Sequence, residues 1–276
     1  MTTTLSNAEI ELSKQMGDFW SSSATATVSN IKLTDTVLKD VPSDWLTDDT
    51  HLQMTTLNAA ADTSERLIAT LNITDGFVTW NRALAGNSTN ADTYRIHRLF
   101  TASEKRRALI NACKMAFPSI HERIWDESTT TATNCRISII NMGFAQHKPH
   151  EISIATNSAK NYGIWTPLRR WSVDVANGTL YHQRVAANLN VRIRGIGYLG
   201  WSAETWVGTI NIDEPQLQIL VAEAALYLCN QKSLPTETSG VSKQWMEAKA
   251  NWEKELRSRK AQFGMEGPQT ITQWGM

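Results

Sequence analysis

Histidine, cysteine and carboxylate spacing is where chemistry would show, and in this chain it shows thinly. His147-x-x-His150, with Cys135 upstream, is the nearest approach to a metal-binding group. Two imidazoles at that spacing hold a zinc ion only when a second ligand pair converges on them. Lys148-Pro149 favours a turn and no second pair follows, so the reading is a polar loop. Asp213-Glu214 and Asp48-Asp49 are adjacent carboxylates, whereas glycosidic acid–base work needs two carboxylates converging from separate elements. The first pair reads as a helix cap and dipole partner, the second as a loop. No phosphate-cradling Gly-rich loop, dinucleotide fingerprint, nucleophile elbow or His-Glu-x-x-His occurs. The pattern predicts no catalytic residue, no metal and no cofactor, hence a protein that is not an enzyme.

Binding is better represented than catalysis. Eleven tryptophans stand in 276 residues, and Trp carries large contact area at the cost of few torsions. Trp165, Trp171, Trp201 and Trp206 are the residues to suspect for a sugar-stacking platform, against a plain role in core packing. Cations concentrate at Lys105, Arg106 and Arg107, at Arg169-Arg170, Arg184, Arg192 and Arg194. These read as a solvated face or as a basic patch that meets DNA or an acidic partner surface. The totals, 27 Lys and Arg against 27 Asp and Glu, show no cationic excess of the kind that tight nucleic-acid binding draws on. Near-zero net charge also weakens repulsion between copies.

The elements that must position these residues are marked by caps and periodicity. Ser6 and Glu9 read as a capping box for a first helix with Leu12, Met16, Phe19 and Trp20 on one face. A small β-module follows, with strands at 34–38, 65–71, 76–84 and 93–97. Thr101 and Glu104 open a helix that Pro118 ends, and 120–125 continues as a short helical or extended piece. Thr129 to Asn134 is a low-complexity junction. Short strands then follow at 136–140, 151–155, 162–167, 171–175, 179–182, 189–195 and 206–212, a spacing that suggests an antiparallel sandwich or barrel. Asp213 caps a helix over 214–232 with Leu217, Leu220, Val221, Ala224 and Leu228 as its buried stripe. A last helix, 241–263, aligns Val241, Trp245, Ala248, Trp252 and Leu256 near heptad spacing.

The predicted class is therefore α+β. Residues 1–20, 99–128 and 213–263 form a helical bundle core, 21–98 an inserted small β-module, 129–212 a β-sandwich-like domain, and 264–276 a C-terminal tail. Three distant cysteines do not form a disulfide framework. No basic region followed by an apolar core opens the sequence and no stretch of ~20 apolar residues occurs, so the expected setting is a reducing cytoplasm without a membrane.

The run Asp92-Thr-Tyr-Arg-Ile-His97, Phe100-Thr-Ala-Ser-Glu104, Ala108-Leu-Ile-Asn-Ala112 and Phe117-Pro118 resembles head-to-tail connector (adaptor, neck) proteins of tailed bacteriophages. In that family a β-module ends in a similar strand, followed by a Phe-Ser/Thr-x-x-Glu helix start and an aromatic-Pro. Met16-Gly-Asp18, Thr34 to Leu38, Ile212 to Tyr227 and Trp245 to Phe263 resemble it too. The long 129–212 region departs from minimal connectors. The resemblance implies a virion subunit in a homo-oligomeric ring, commonly twelve-fold, with a portal protein above and a tail or neck protein below. Genome DNA would pass through the lumen without specific binding. Trp252, Leu256, Phe263, Met265, Trp274 and Met276 are then the expected portal-docking residues. Two rival readings are a tail-terminator, tail-tube or nozzle subunit, and a carbohydrate-binding β-sandwich module.

Overall fold

The computed structural model describes residues 2–42, 45, 49–55, 65–84, 92–155, 164–233 and 239–265, with the side chains at 27, 28, 147 and 239–242 outside that description. In chain order the elements are β1 (Thr2–Thr4), α1 (Leu5–Gln15), β2 (Trp20–Ser23), β3 (Ala26–Ser29), β4 (Lys32–Thr34), a 3-10 turn (Thr36–Asp40), β5 (His51–Met54), β6 (Glu65–Asn72), β7 (Phe77–Trp80), β8 (Thr93–His97) and α2 (Ala102–Met115). Then come β9 (Glu122–Asp126), β10 (Arg136–Ser138), β11 (Phe144–Ala155), β12 (Trp165–Pro167), β13 (Trp171–Asp174), β14 (Thr179–His182), β15 (Val191–Gly197), β16 (Thr209–Asn211), α3 (Glu214–Lys232) and α4 (Ser239–Phe263). The protein is a mixed α+β fold with antiparallel sheets. Two compact units divide the chain: Met1–Ala112 with Trp201–Ser258, and Cys113–Gly200 with Arg259–Met276.

In the first unit a sheet of order β2-β8-β5-β6-β7-β4-β3 curls into a half-barrel. Leu33, Leu38, Leu52, Met54, Val78, Trp80, Tyr94 and Ile96 fill its inside. Tyr94 donates to Asp35 Oδ2 at 2.7 Å, and burial with the neighbouring carboxylate pushes the phenol pKa up. Asp35 also accepts from Val37 N, which caps the 3-10 turn. Residues 34–38 therefore do not form the expected strand: the Asp35 side chain replaces the ladder bonds with a turn. β8 is buried on both faces. Tyr94 and Ile96 point into the half-barrel core, and Arg95 and His97 lie on the opposite side by strand alternation.

The helices of this unit are buried to very different extents. Thr4, not Ser6, is the N-cap of α1 and accepts from Asn7 N. Glu9, expected in a capping box, is instead turned inward and fully buried. β1 pairs with β16, which brings the chain start beside the entry to α3, and Gln15 donates to Gln218 across α1 and α3 at 2.6 Å. α3 buries Leu217, Leu220, Val221, Ala224 and Leu228 as the periodicity requires, and also Ile219, Ala222, Glu223, Ala225 and Cys229. A helix covered on nearly all sides needs no polar face. α4 is the opposite case: Leu256 is its buried residue in this unit, and Trp245, Ala248 and Trp252 are half-buried along one seam.

In the second unit the sheets β10-β14-β13 and β12-β11-β15-β9 share one core of Ile137, Ile139, Phe144, Ile152, Leu180, Val191 and Ile193. The 120–125 piece resolves as strand β9, paired along β15 from Glu122↔Gly197 to Asp126↔Ile193. β11 carries a large bulge, because Phe144 pairs with Gly197 while Pro149 already pairs with Gly195. Gln146 within it has a φ of 54°. Gly195 and Gly197 permit the close packing here. A Cβ on either would come within 2.5 Å of the Phe144 ring or of Ile124 Cδ1.

Candidate functional site

One concentration of titratable side chains in the first unit lies where α1, β8 and α2 meet. Glu9 accepts from Ser13 Oγ at 2.7 Å and from the Arg95 guanidinium, which also reaches Ser6 Oγ at 3.2 Å. Lys105 Nζ lies 2.8 Å from Asp18 Oδ2 and donates to Ser13 Oγ at 2.9 Å and to His97 Nδ1 at 2.9 Å. With Nδ1 accepting, the proton of His97 sits on Nε2 and is donated to Gln53 Oε1 at 3.1 Å. Burial, then the positive charges of Lys105 and Arg95, hold His97 well below its ordinary pKa. Asp18 further accepts from the backbone N–H groups of Arg98, Leu99 and Phe100.

Two carboxylates thus face two cations around a neutral imidazole. Glu9, Asp18, His97 and Lys105 have no exposed surface. The network locks the strand-to-helix corner Arg98–Thr101, where Thr101 and Glu104 form the expected capping box.

An exposed constellation occupies the outer face of the β12-β11-β15-β9 sheet. In β15 the inward residues are Val191, Ile193, Gly195 and Gly197, and strand alternation sends Arg192 and Arg194 outward. Register sets Arg194 beside Trp125 on one side and Glu151 on the other, with Arg192 beside Ser153. The Arg192 guanidinium stacks 4.0 Å from the Trp165 ring centre and 4.6 Å from that of Trp125, and Arg194 lies 4.8 Å from Trp125. Arg192 Nε donates to Glu127 at 2.6 Å and Arg194 Nη1 to Glu151 at 3.3 Å. Trp125 remains 59% exposed, so the stacked arginines leave much of the indole open to solvent. Stacked guanidiniums and a half-exposed indole make this a partly desolvated patch of Trp and Arg, residue types enriched at protein interfaces.

The other candidate residues scatter. Lys105 is buried in its ion pair and leaves the expected basic patch, because a lysine with no exposure has no partner-facing charge. Arg106 lies over the Trp206 ring at 5.4 Å and Arg107 is exposed, both in the first unit, whereas Arg192 and Arg194 belong to the second. Of the four tryptophans considered for sugar stacking, Trp165 lies under Arg192, Trp171 packs on the core, Trp201 donates to Leu109 O, and Trp206 lies under Arg106. Trp252 and Leu256 sit on the α4 seam, and Phe263 and Met265 are half-buried in the second unit, where Met265 N donates to Ser119 O. Trp274, Met276 and Asp48 lie outside the described residues. His150 is half-buried, with its pKa lowered by burial and by His121, and the His147 side chain is outside the description. Among the described residues no three His, Cys, Asp or Glu side chains gather as metal ligands would.

Trp125, Glu127 and Glu151 were not singled out by sequence. The alternation of Arg192 and Arg194 with Val191 and Ile193 marked an outward face, but which residues flank it depends on cross-strand register. The charge total is equally uninformative until it is divided. The first unit holds 15 Lys and Arg against 21 Asp and Glu, a net of −6; the second holds 12 against 6, a net of +6. The neutral chain is two oppositely charged bodies. In comparisons with known proteins, no family model matches this chain and no curated protein does.

Proposed function

We propose that this protein is a virion structural subunit, a head-to-tail connector that forms a ring under the portal and joins capsid to tail around a channel for genome DNA. The observation that carries the reading is the succession over 92–118. Strand β8 runs into a Thr101–Glu104 capping box, α2 and the Phe117–Pro118 step, the order of elements that the connector resemblance implies. In finer terms the helices would act as a bundle core, the half-barrel as an inserted β-module, and the two sheets of the second unit as a sandwich-like domain. Partners would be copies of the chain, a portal protein and a tail or neck protein. The setting is the virion, and the host cytoplasm during assembly. No described helix is long and apolar enough to cross a membrane. The Trp- and Arg-bearing outer face supports a role in contact rather than catalysis.

The test is the location of the chain in the particle by reconstruction without imposed icosahedral symmetry. A ring touching the portal is expected. A ring further down the tail would replace the connector by a terminator, tube or nozzle subunit, and absence from the particle would end the virion reading.

A further inference from the structure

A ring of identical subunits is closed by heterologous contacts, in which one face of each copy meets an unlike face of the next. Such contacts need two complementary surfaces on a single chain, and here charge supplies them. The second unit is net +6 and the first −6. On the second unit, Arg123, Arg192 and Arg194 share the outer sheet face with exposed Trp125. On the first, Glu204, Asp213 and Glu214 are exposed along one short stretch of chain with Val207, which is 79% exposed.

We infer that the Arg123–Trp125–Arg192–Arg194 face of one copy docks against the acidic first unit of a second copy of this chain, with the Glu204–Glu214 stretch as its counterpart. The inference rests on the ring reading for closure of the contact, and on charge and composition for the contact itself. Nucleic acid is the other ligand a +6 body suggests. One feature favours a protein partner: the exposed Trp125 indole adds apolar area that an interface core uses and a phosphate backbone does not.

The experiment is self-association of the full chain by sedimentation velocity at increasing concentration. Association is expected at about 0.1 M salt and should weaken by at least about tenfold at about 1 M, where the screening length falls from about 10 Å to about 3 Å. Arg123→Glu/Arg194→Glu and Glu204→Lys/Glu214→Lys should each be monomeric with unchanged circular dichroism. Mixed together, they should associate again, because each retains one intact face and the two reversed faces are complementary to each other. A monomer at every salt concentration, or oligomers indifferent to salt and to both variants, overturns the contact. Indifferent oligomers would still leave the ring reading standing, since copies would then associate by other faces. Should the wild type instead bind a DNA duplex of about 30 base pairs, with loss in Arg123→Glu/Arg194→Glu and no self-association, the face belongs to nucleic acid and the inference fails.

Discussion

Lys105 shows how much a single residue's meaning depends on its surroundings. As part of Lys105-Arg-Arg107 it reads as one cation of a surface cluster, yet its ammonium is fully buried against Asp18, Ser13 and His97. Removing one partner of a buried pair strands the other, at a cost of roughly 3–5 kcal/mol. Lys105→Met is therefore expected to lower the first unit's stability by about that amount in urea titration, whereas Arg107→Met on the exposed side should change it by less than about 0.5 kcal/mol. His97 makes a second prediction. Its folded pKa is depressed, so the unfolded chain binds a proton from near pH 6.5 downward that the folded chain refuses. The groups around it are Lys105, Arg95, Glu9, Gln53 and His51. Stability should be full above pH 6.5 and fall as pH drops below it, by at most about 1.4 kcal/mol per pH unit from this one group. His97→Gln should flatten that slope; an unaltered slope would assign it to other groups.

At the scale of elements, α3 and α4 are both long helices with regular apolar spacing, and tertiary packing treats them oppositely. α3 is enclosed, so Ile219, Ala222 and Cys229 are as buried as its predicted stripe, and burial pushes the Cys229 thiol up to about 11. α4 keeps the narrow seam its heptad spacing marks. Around β15 the decisive residues are glycines. Gly197 carries no side chain, and Ile124 Cδ1 occupies the place where a Cβ would stand, at 2.5 Å. Gly197→Ala forces Ile124 or the β9–β15 register to move, and overpacking of this kind costs about 1–3 kcal/mol. The second unit should lose that stability in urea titration and Trp125 should shift relative to Arg194, visible as a changed indole environment in NMR. An alanine accepted without loss would mean that the β9–β15 packing is looser than the geometry implies.

For the whole molecule, the opposed charges of the two units matter more than their zero sum. A neutral total predicts weak salt dependence, whereas two bodies of −6 and +6 predict association that salt suppresses. The chain after Gly264 makes the other whole-molecule prediction. If the terminal segment is the portal-facing arm of a connector, truncation after Gly264 should leave self-association intact and abolish capture on portal rings. Unchanged capture would move the docking surface elsewhere, with the Trp252–Leu256 seam the next place to look.

Local physics was legible in the sequence, and its reach was short. The Thr101–Glu104 capping box, the 93–97 strand and the 214–232 helix follow from neighbouring residues alone and are present in the fold, whereas the alternation expected over 189–195 holds only from Val191, with Asn190 buried and Leu189 half-buried. What the sequence could not determine is pairing across distance. Glu9 looked like a helix cap, and only the arrival of Arg95 and Ser13 made it a buried ion-pair partner. Asp35 stopped a predicted strand because Val37 and Tyr94 both bonded to it. The outward face of β15 was foreseeable from alternation, but Trp125, Trp165, Glu127 and Glu151 joined it through register and stacking, and a one-residue slip would have turned the arginines inward. Spacing along the chain sets which way a side chain points; contacts between residues far apart in sequence decide what it meets.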